Sequence, residues 1–393
     1  MTVRDLVFEP AEHRSRVERT KQRMHQQGID VLVVVDAANM TYLTGYDNWS
    51  FYWPQAVLVA LYATDPVLVV RHTELQGALR SVYMDPGDIA VYPESYIVQP
   101  HLHGMKFVAE VIQQRYGQVR ALGVELDAAG YTARGHSEIV DAFPDARIVD
   151  VGQLVNWVRT VKSPAEIGVM RQAGAIANAA MDAVVAAISP GVRECDAAAE
   201  LHRALIAGTE AFGGGTPIRP SMPTGDRTAA SHLSWTDRQY EPESLTTIEL
   251  GGCRHQYHVG LSRSVYLGTP PEQLTQLADV THEGYYAALD AVRPGATCDE
   301  VASAFLTSIK RHGMDKASRI GYAIGLGYPT SAWIEQTASL ACGDFTVLEP
   351  NMTLHIILGM WRESWGYVFS ETVAVTDAGS ELLSTGPREL VVK

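Results

Sequence analysis

The chain has 393 residues, of which 46% are hydrophobic and 19% charged, and its formal net charge is −14. This composition is typical of a globular protein with a sizeable buried core, and the length favours two domains over one. The negative charge disfavours nucleic acid and anionic lipid as partners, because both would be repelled. The four cysteines are widely spaced and include no CxxC pair, so neither a disulfide framework nor a zinc knuckle is expected.

Nothing in the sequence indicates a membrane partner. The longest apolar runs, such as residues 31–35, are far shorter than the ~20 residues of a membrane-spanning helix. The first residues carry charges throughout and lack the apolar segment of a secretory signal. We therefore expect a cytoplasmic protein.

Short strands alternate with helices over the first 150 residues. An amphipathic helix is predicted over 12–27, ended by Gly28, and a buried strand over 29–35. Further strands are predicted over 57–61 and 66–70, and a helix over 106–115. This alternation predicts a small α/β domain at the N-terminus.

A helix start marks the domain boundary. Ser163 fits the N-cap, Pro164 the first helical position and Glu166 the third residue of a capping box. An alanine-rich helix should follow to about Ile188. We therefore divide the chain into domains 1–160 and 161–393.

The second domain contains an internal repeat. Residues 187–196 and 291–300 share the order helix end, Pro-Gly turn, cap and helix start. A duplicated α/β unit explains this better than chance. The duplication predicts two pseudo-symmetric halves with a cleft between them.

These motifs resemble a known superfamily. The boundary RTVKSPAEIGVMRQA, the two Pro-Gly turns and the C-terminal SETVAVTDAGSELLS are similar to the creatinase and methionine aminopeptidase superfamily. The resemblance implies an α/β fold class, with a small creatinase-like N-terminal domain followed by a pseudo-symmetric pita-bread (α+β) catalytic domain. Within the superfamily the pattern, including the tryptophan-rich GYDNWSFYWP of residues 45–54, most resembles the ectoine hydrolase family.

Members that bind two metals use two Asp, one His and two Glu as ligands. The resemblance places these five positions at Glu249, Gly260, Tyr322, Ile357 and Glu371. Only the last keeps the expected residue type; glycine and isoleucine offer no ligand atom, and tyrosine is a neutral phenol near pH 7. The resemblance therefore implies no metal and no other cofactor.

The remaining polar residues suggest catalysis without metal. Glu249 and Glu371 should converge from two strands, and a delocalised nitrogen cation on the substrate would relieve their repulsion. His232, seventeen residues before Glu249, stands where the superfamily retains a histidine and is expected to transfer protons. The plainer alternatives are a structural role for His232, an N–H acceptor at a strand end for Glu249 and a surface strand residue for Glu371.

Aromatic residues crowd one loop of the first domain, namely Trp49, Phe51, Tyr52 and Trp53. They fit either a domain or dimer interface or, as the resemblance implies, a lid that reaches into the neighbouring subunit's cleft. A homodimer is expected from the resemblance and from this loop. The predicted substrate-binding residues are Tyr322, Trp49, Phe51, Trp53 and Arg263. For a substrate carboxylate the sequence offers Arg263, Arg254 and Arg219 without ranking them, and a structural role is the alternative for Arg263.

The resemblance implies a metal-independent hydrolase that opens the cyclic amidine of ectoine, a small zwitterion, to N-acetyl-diaminobutyrate. Glu249 would be nucleophile or base, His232 the proton shuttle and Glu371 the anchor of the ring nitrogens. A downstream deacetylase is a further candidate partner. The alternatives are, in order, a creatinase-type amidinohydrolase, a metal-dependent Xaa-Pro aminopeptidase and a non-catalytic binding module. Creatinase is disfavoured because Trp53 replaces its carboxylate-binding arginine and Ser262 its second cation-binding glutamate.

Overall fold

The computed structural model describes residues 4–47, 49–330 and 332–393. The chain divides into two compact units, Met1–Arg159 and Thr160–Lys393. Within the described residues, every helix is too short or too polar to cross a lipid bilayer.

The first unit is built around a mixed sheet. Its helices are α1 (Pro10–Gln27), α2 (Ala37–Thr44), α3 (Leu75–Ser81), α4 (Ser95–Val98), α5 (Gly104–Tyr116), α6 (Ala133–Ala142) and α7 (Leu154–Thr160). Its strands are β1 (Val31–Val34), β2 (Ala56–Ala60), β3 (Val67–Arg71), β4 (Ile89–Tyr92), β5 (Ala121–Val124) and β6 (Arg147–Asp150). They pair in the order β4-β3-β2-β1-β5-β6. Strand β1 is antiparallel to β2 and parallel to β5.

The predicted elements of this unit are confirmed, with ends shifted by a few residues. Helix α1 stops where Gly28 takes the left-handed conformation, φ 63°, which a glycine adopts without steric cost. Strand β1 is buried along its whole length, as its run of valines and leucine predicts.

The second unit repeats a helix-pair-on-sheet arrangement. Its helices are α8 (Pro164–Ala187), α9 (Glu194–Ala207), α10 (Glu272–Ala291) and α11 (Cys298–Lys310). Its strands are β7 (Ser244–Arg254), β8 (Tyr257–Leu267), β9 (Gly321–Tyr328), β10 (Ala332–Leu340), β11 (Thr353–Trp361), β12 (Gly366–Thr376), β13 (Gly379–Leu382) and β14 (Val391–Val392). The main path of the sheet runs β10-β9-β11-β12-β8-β14, with β7 paired to β8 and β13 to β12.

The duplication inferred from the two Pro-Gly turns is visible in the packing. Helix α8 lies on β7 and β8, whereas α10 lies on β11 and β12. Helix α8 begins with the predicted capping box, in which the Ser163 hydroxyl accepts from the Glu166 amide at 3.2 Å and the Glu166 carboxylate from the Ser163 amide at 2.8 Å. Thr297 and Glu300 form the equivalent box at α11. Each half thus folds as one helix pair on its part of the sheet.

Candidate active site

A cavity of about 300 Å³ opens on one face of the second unit's sheet. Three of the predicted site residues line it: His232, Glu249 and Tyr322. The other lining residues are Ser221, Ser231, Thr247, Lys316, Ser318, Arg319, Ile334, Ile357, Gly359, Trp361 and Val368. The size matches the lower end of ligand pockets and suits a compact molecule.

Strand register determines which side chains face this cavity. Glu249 pairs with Ser262, Ser262 with Ser370, and Ser370 with Ile357 across β7, β8, β12 and β11. Residues directly opposite each other project from the same face of a sheet. Because Glu249 and Ile357 line the cavity, this row of four residues lies at the floor of the cavity.

The residues one position before or after this row project to the opposite face, and they include Glu371 and Arg263. Ile248 pairs with Arg263, and Glu371 pairs with Ile356, which is buried in the core beneath the helices. The expectation that Glu371 converges with Glu249 is therefore wrong. The position that shares the cavity face is Ser370, one residue earlier, because a shift of one residue reverses the face of a strand.

Glu371 is held by an ion pair within the core. Its carboxylate accepts from Arg263 at 2.8 Å and from the Tyr285 hydroxyl at 2.6 Å, and Arg388 lies at 3.3 Å. The side chains of Glu371 and Arg263 are 0% and 1% exposed. Arg263 also donates to the carbonyl oxygen of Ser370 at 2.9 Å. These contacts leave neither side chain for a substrate, so the substrate-binding role expected for Arg263 is also corrected to a structural one.

Glu249 is the carboxylate that faces the cavity. Its backbone amide and carbonyl each bond to Ser221 at 2.9 Å, which fixes this part of β7. Among the described residues, none forms a hydrogen bond or ion pair with its carboxylate. Burial raises the pKa of Glu249 to about 7. A carboxylate with this pKa exchanges protons near neutral pH and attracts a cationic ligand.

Tyr322 forms the wall beside Glu249 and is the end of a buried chain of hydrogen bonds. Its hydroxyl accepts from Trp333 Nε1 at 3.1 Å and lies 3.3 Å from His355 Nδ1. His355 Nε2 lies 2.7 Å from the Ser370 hydroxyl. Burial lowers the pKa of His355 to about 3, so the imidazole is neutral. Trp333 Nε1 donates to Tyr322, and the tautomer of His355 determines the donor in its contacts with Tyr322 and Ser370.

The cavity residues do not fit a two-metal centre. Gly260 stands where such a centre needs a carboxylate, and a Cβ atom there would lie 2.6 Å from His355 Cε1. The His355 ring thus fills the space of the missing side chain. With Tyr322, Ile357 and Ser370 at three other ligand positions, Glu249 is the remaining carboxylate of the five. Within the described residues, no three His, Cys, Asp or Glu side chains come close enough to hold an ion.

His232 lies on the loop before β7 and is exposed at the cavity. Its Nδ1 atom lies 3.3 Å from the hydroxyl of Ser231. The structure therefore brings His232 and Glu249 to one cavity, as the sequence predicts for a proton-transferring pair. Its catalytic role stays a prediction.

Two basic residues of the cavity escaped the sequence interpretation. Lys316 and Arg319 precede β9 and line the cavity beside Tyr322. The signal was a pair of cations three residues apart, directly before a glycine-rich strand, in an acidic chain. Of the arginines considered from sequence, Arg254 donates to Gln172 at 3.2 Å and Arg219 to Ser234 at 3.2 Å.

The aromatic loop belongs to the first unit. Trp49 and Tyr52 are 62% and 72% exposed, whereas Phe51 and Trp53 are half-buried. The guanidinium of Arg71 lies 5.7 Å from the centre of the Trp53 ring. Asn48, within the same motif, lies outside the described residues. That this loop covers the cleft of a second subunit stays a prediction.

A larger cavity, about 980 Å³, lies elsewhere in the second unit. Its walls include Glu194, Asp226, Glu241 and Glu243. None of the predicted site residues is among the described residues that line it. The smaller cavity is the candidate site because His232, Glu249 and Tyr322 line it.

Comparison with known proteins identifies the family. Residues 168–377 match the model of metallopeptidase family M24, and residues 16–161 match the creatinase/prolidase N-terminal domain. The chain is 42% identical to an uncharacterized hydrolase/peptidase of Sinorhizobium fredii, over 100% of each chain. It is 37% identical to the ectoine hydrolase of Halomonas elongata, over 99% of each. Among solved structures, dipeptidase PepE from Mycobacterium ulcerans matches with a TM-score of 0.82 and 23% identity, covering 98% of this chain and 99% of that one. These matches confirm the predicted fold class, and the chain belongs to metallopeptidase family M24, with a creatinase/prolidase N-terminal domain.

Proposed function

We propose that this protein hydrolyses the cyclic amidine of ectoine, opening the ring to N-acetyl-diaminobutyrate without a bound metal. The coarser conclusion, that the chain is a hydrolase acting on C–N bonds, follows from its family and from full-length relatives that are 42% and 37% identical. The 37% relative is named an ectoine hydrolase, and the residues of the cavity support the same substrate here.

The observation that carries the proposal is the unshared carboxylate of Glu249 in the cavity. An amidinium is a planar, delocalised cation with N–H donors, and it pairs well with a carboxylate. Apolar walls from Ile334, Ile357 and Trp361 suit the methyl and methylene groups of a small ring. In this proposal the amidinium of the substrate takes the position that the metal ions occupy in two-metal members of the superfamily.

Ring opening needs water at the amidine carbon and a proton on the departing nitrogen. In one route Glu249 takes a proton from water, and the resulting hydroxyl adds to the carbon. In the other, Glu249 itself bonds to the carbon and water later releases it. In both routes one ring C–N bond breaks, the departing nitrogen becomes an amine, and the carbon retains its other nitrogen as an acetamide. His232 supplies the proton to the departing nitrogen.

The first test is proton NMR of the purified protein after treatment with EDTA, mixed with ectoine. A parallel sample contains creatine, and a third contains an Xaa-Pro dipeptide. We expect ring opening of ectoine in the metal-free sample and no change in the other two. Turnover of the dipeptide that requires added manganese or zinc would instead identify a metal-dependent peptidase and refute the proposal.

The rate should depend on pH through Glu249. Burial raises the pKa of this carboxyl to about 7, and only the deprotonated form binds the amidinium and activates water. We expect kcat/KM for ectoine to fall about tenfold per pH unit below this value, and not only below pH ~4.3, where an ordinary glutamate titrates. A profile that stays flat down to pH ~5 would show that this ionisation does not control the reaction.

We also propose a homodimer in which the aromatic loop contacts the second subunit. Large aromatic side chains with the exposure of Trp49 and Tyr52 are favoured at protein interfaces. Replacing both with serine should convert dimers to monomers in analytical ultracentrifugation, whereas serine at the exposed Tyr62 should not. A wild-type protein that sediments as a monomer would contradict the proposal.

A further inference from the structure

Lys316 presents an unsatisfied ammonium to the cavity. Its Nζ atom donates to the carbonyl oxygen of Gly359 at 2.6 Å and to the Ser318 hydroxyl at 2.8 Å. An ammonium has three N–H donors, so one remains after these two bonds. The half-buried ammonium is partly removed from water, and burial lowers the pKa of Lys316 to about 8. It is still largely charged near pH 7.

Arg319 adds a second cation at the same wall. Its Nη1 donates to the Ser339 hydroxyl at 2.9 Å, and its guanidinium lies 4.5 Å from the centre of the Tyr322 ring. This hydrogen bond and the cation–π contact fix the plane of the group while other N–H donors stay available.

Neither cation has a carboxylate partner in the part of the chain that the structure describes. Within the described residues, Lys316 and Arg319 form no ion pair, although acidic side chains outnumber basic ones 45 to 31 in the chain. In a protein with an excess of acid, two adjacent unpaired cations that line a cavity point to an anion from outside the chain.

We propose that Lys316 and Arg319 bind the carboxylate of the substrate, so that the cavity holds a zwitterion between two cations at one wall and Glu249 at its floor. This inference rests on the proposed function, since it assigns the second charged group of the same substrate. It also replaces the sequence-based assignment to Arg263, whose guanidinium is bound to Glu371 in the core.

The two-point arrangement defines a substrate class. A small molecule must carry a delocalised cation and an anion on one compact ring or short chain to reach both ends. An amidine without a carboxylate should enter the cavity but lose the contact that orients it. Removal of one partner of such a charge-assisted hydrogen bond should lower kcat/KM roughly 10- to 100-fold.

The test compares ectoine with 2-methyl-1,4,5,6-tetrahydropyrimidine, which has the same ring without the carboxylate. We expect Lys316→Met to lower kcat/KM for ectoine roughly 10- to 100-fold and to change the value for the analogue less than about threefold. Arg319→Leu should act in the same direction, and because its side chain is exposed, the substitution leaves the core untouched. Lys316→Arg should restore part of the loss. Lys310→Met, on the exposed end of α11, is the matched control and should leave kcat/KM unchanged for both substrates.

Each outcome separates the two hypotheses. Suppose that the wild type opens ectoine but that Lys316→Met and Arg319→Leu lower kcat/KM equally for ectoine and the analogue, or leave both values unchanged. The anion site is then refuted and the proposed function stands. If the wild type opens neither compound, the proposed function fails, and the anion site fails with it. Thermal unfolding of each variant shows whether an equal loss of kcat/KM on both substrates reflects misfolding of Lys316→Met. If that variant is misfolded, the ratio of the two kcat/KM values in Arg319→Leu decides whether the anion site exists.

Discussion

Glu249→Gln should lower kcat for ectoine ring opening by at least about 10³-fold, because it removes the base or nucleophile and the charge that binds the amidinium. Glutamine keeps the shape of the side chain, so the cavity should retain its form. The exposed Glu241→Gln is the matched control and should leave the rate unchanged. A Glu249→Gln variant with more than about a tenth of wild-type activity would rule out both chemical roles.

The same substitution should make the protein more stable, which separates lost chemistry from lost folding. The pKa of Glu249 is about 7 in the folded protein, above the ordinary value of 4.5. Deprotonation therefore costs more in the folded chain. The resulting destabilisation is absent below pH ~4.5, grows as the pH rises, and is complete above pH ~7. Since the carboxylate retains some access to the cavity, we expect Glu249→Gln to raise the free energy of unfolding by roughly 2 kcal/mol near pH 8. Urea denaturation at both ends of this pH range measures the difference, which should vanish near pH 4.5.

Arg263→Met should destabilise the fold by about 3–5 kcal/mol, because it leaves the Glu371 carboxylate buried without its ionic partner. Both side chains are at most 1% exposed. The remaining folded enzyme should keep its KM for ectoine, since the pair lies on the opposite face of the sheet from the cavity.

An exposed ion pair provides the control for this experiment. Arg171 and Glu381 approach to 2.7 Å, but their side chains are 54% and 36% exposed. Arg171→Met should therefore cost less than about 1 kcal/mol. If Arg263→Met instead unfolds at the wild-type urea concentration and raises KM, the substrate-binding role inferred from sequence would be restored.

Features with a local cause could be predicted from the sequence. Ser163, Pro164 and Glu166 predict the start of α8 because a capping box is complete within four residues. Gly28 predicts the end of α1 because glycine, which has no Cβ, adopts the left-handed conformation without steric cost. The family resemblance added the positions of Glu249, Tyr322 and Ile357, all of which line the cavity.

The face of β12 could not be predicted in the same way. Nearly every residue of this strand is buried, including Ser370 and Glu371 on its two faces. A strand covered on both faces lacks the alternation of polar and apolar residues that identifies its orientation. The sequence therefore does not reveal that Glu371 faces the core and that Ser370, one residue earlier, shares the face of the cavity.

Lys316 and Arg319 were missed for a different reason. They lie in an irregular segment between α11 and β9, where no periodicity indicates which side chains face inward. Lys316 is 67 residues from Glu249 along the chain, and only the folded sheet brings both to one cavity. A local pattern does not record such long-range convergence.

The packing of His355 against Gly260 restricts which residues fit at position 260. A Cβ atom at position 260 would lie 2.6 Å to 2.9 Å from three atoms of the imidazole. The ring itself is buried and hydrogen-bonded at both nitrogens, so it has no space into which to move. An aspartate at position 260 would therefore clash with His355 unless that residue is first replaced by a smaller one, so the order of the two substitutions matters. With Tyr322 and Ile357 at two further ligand positions, a single substitution at Gly260 does not build a two-metal centre in this cavity.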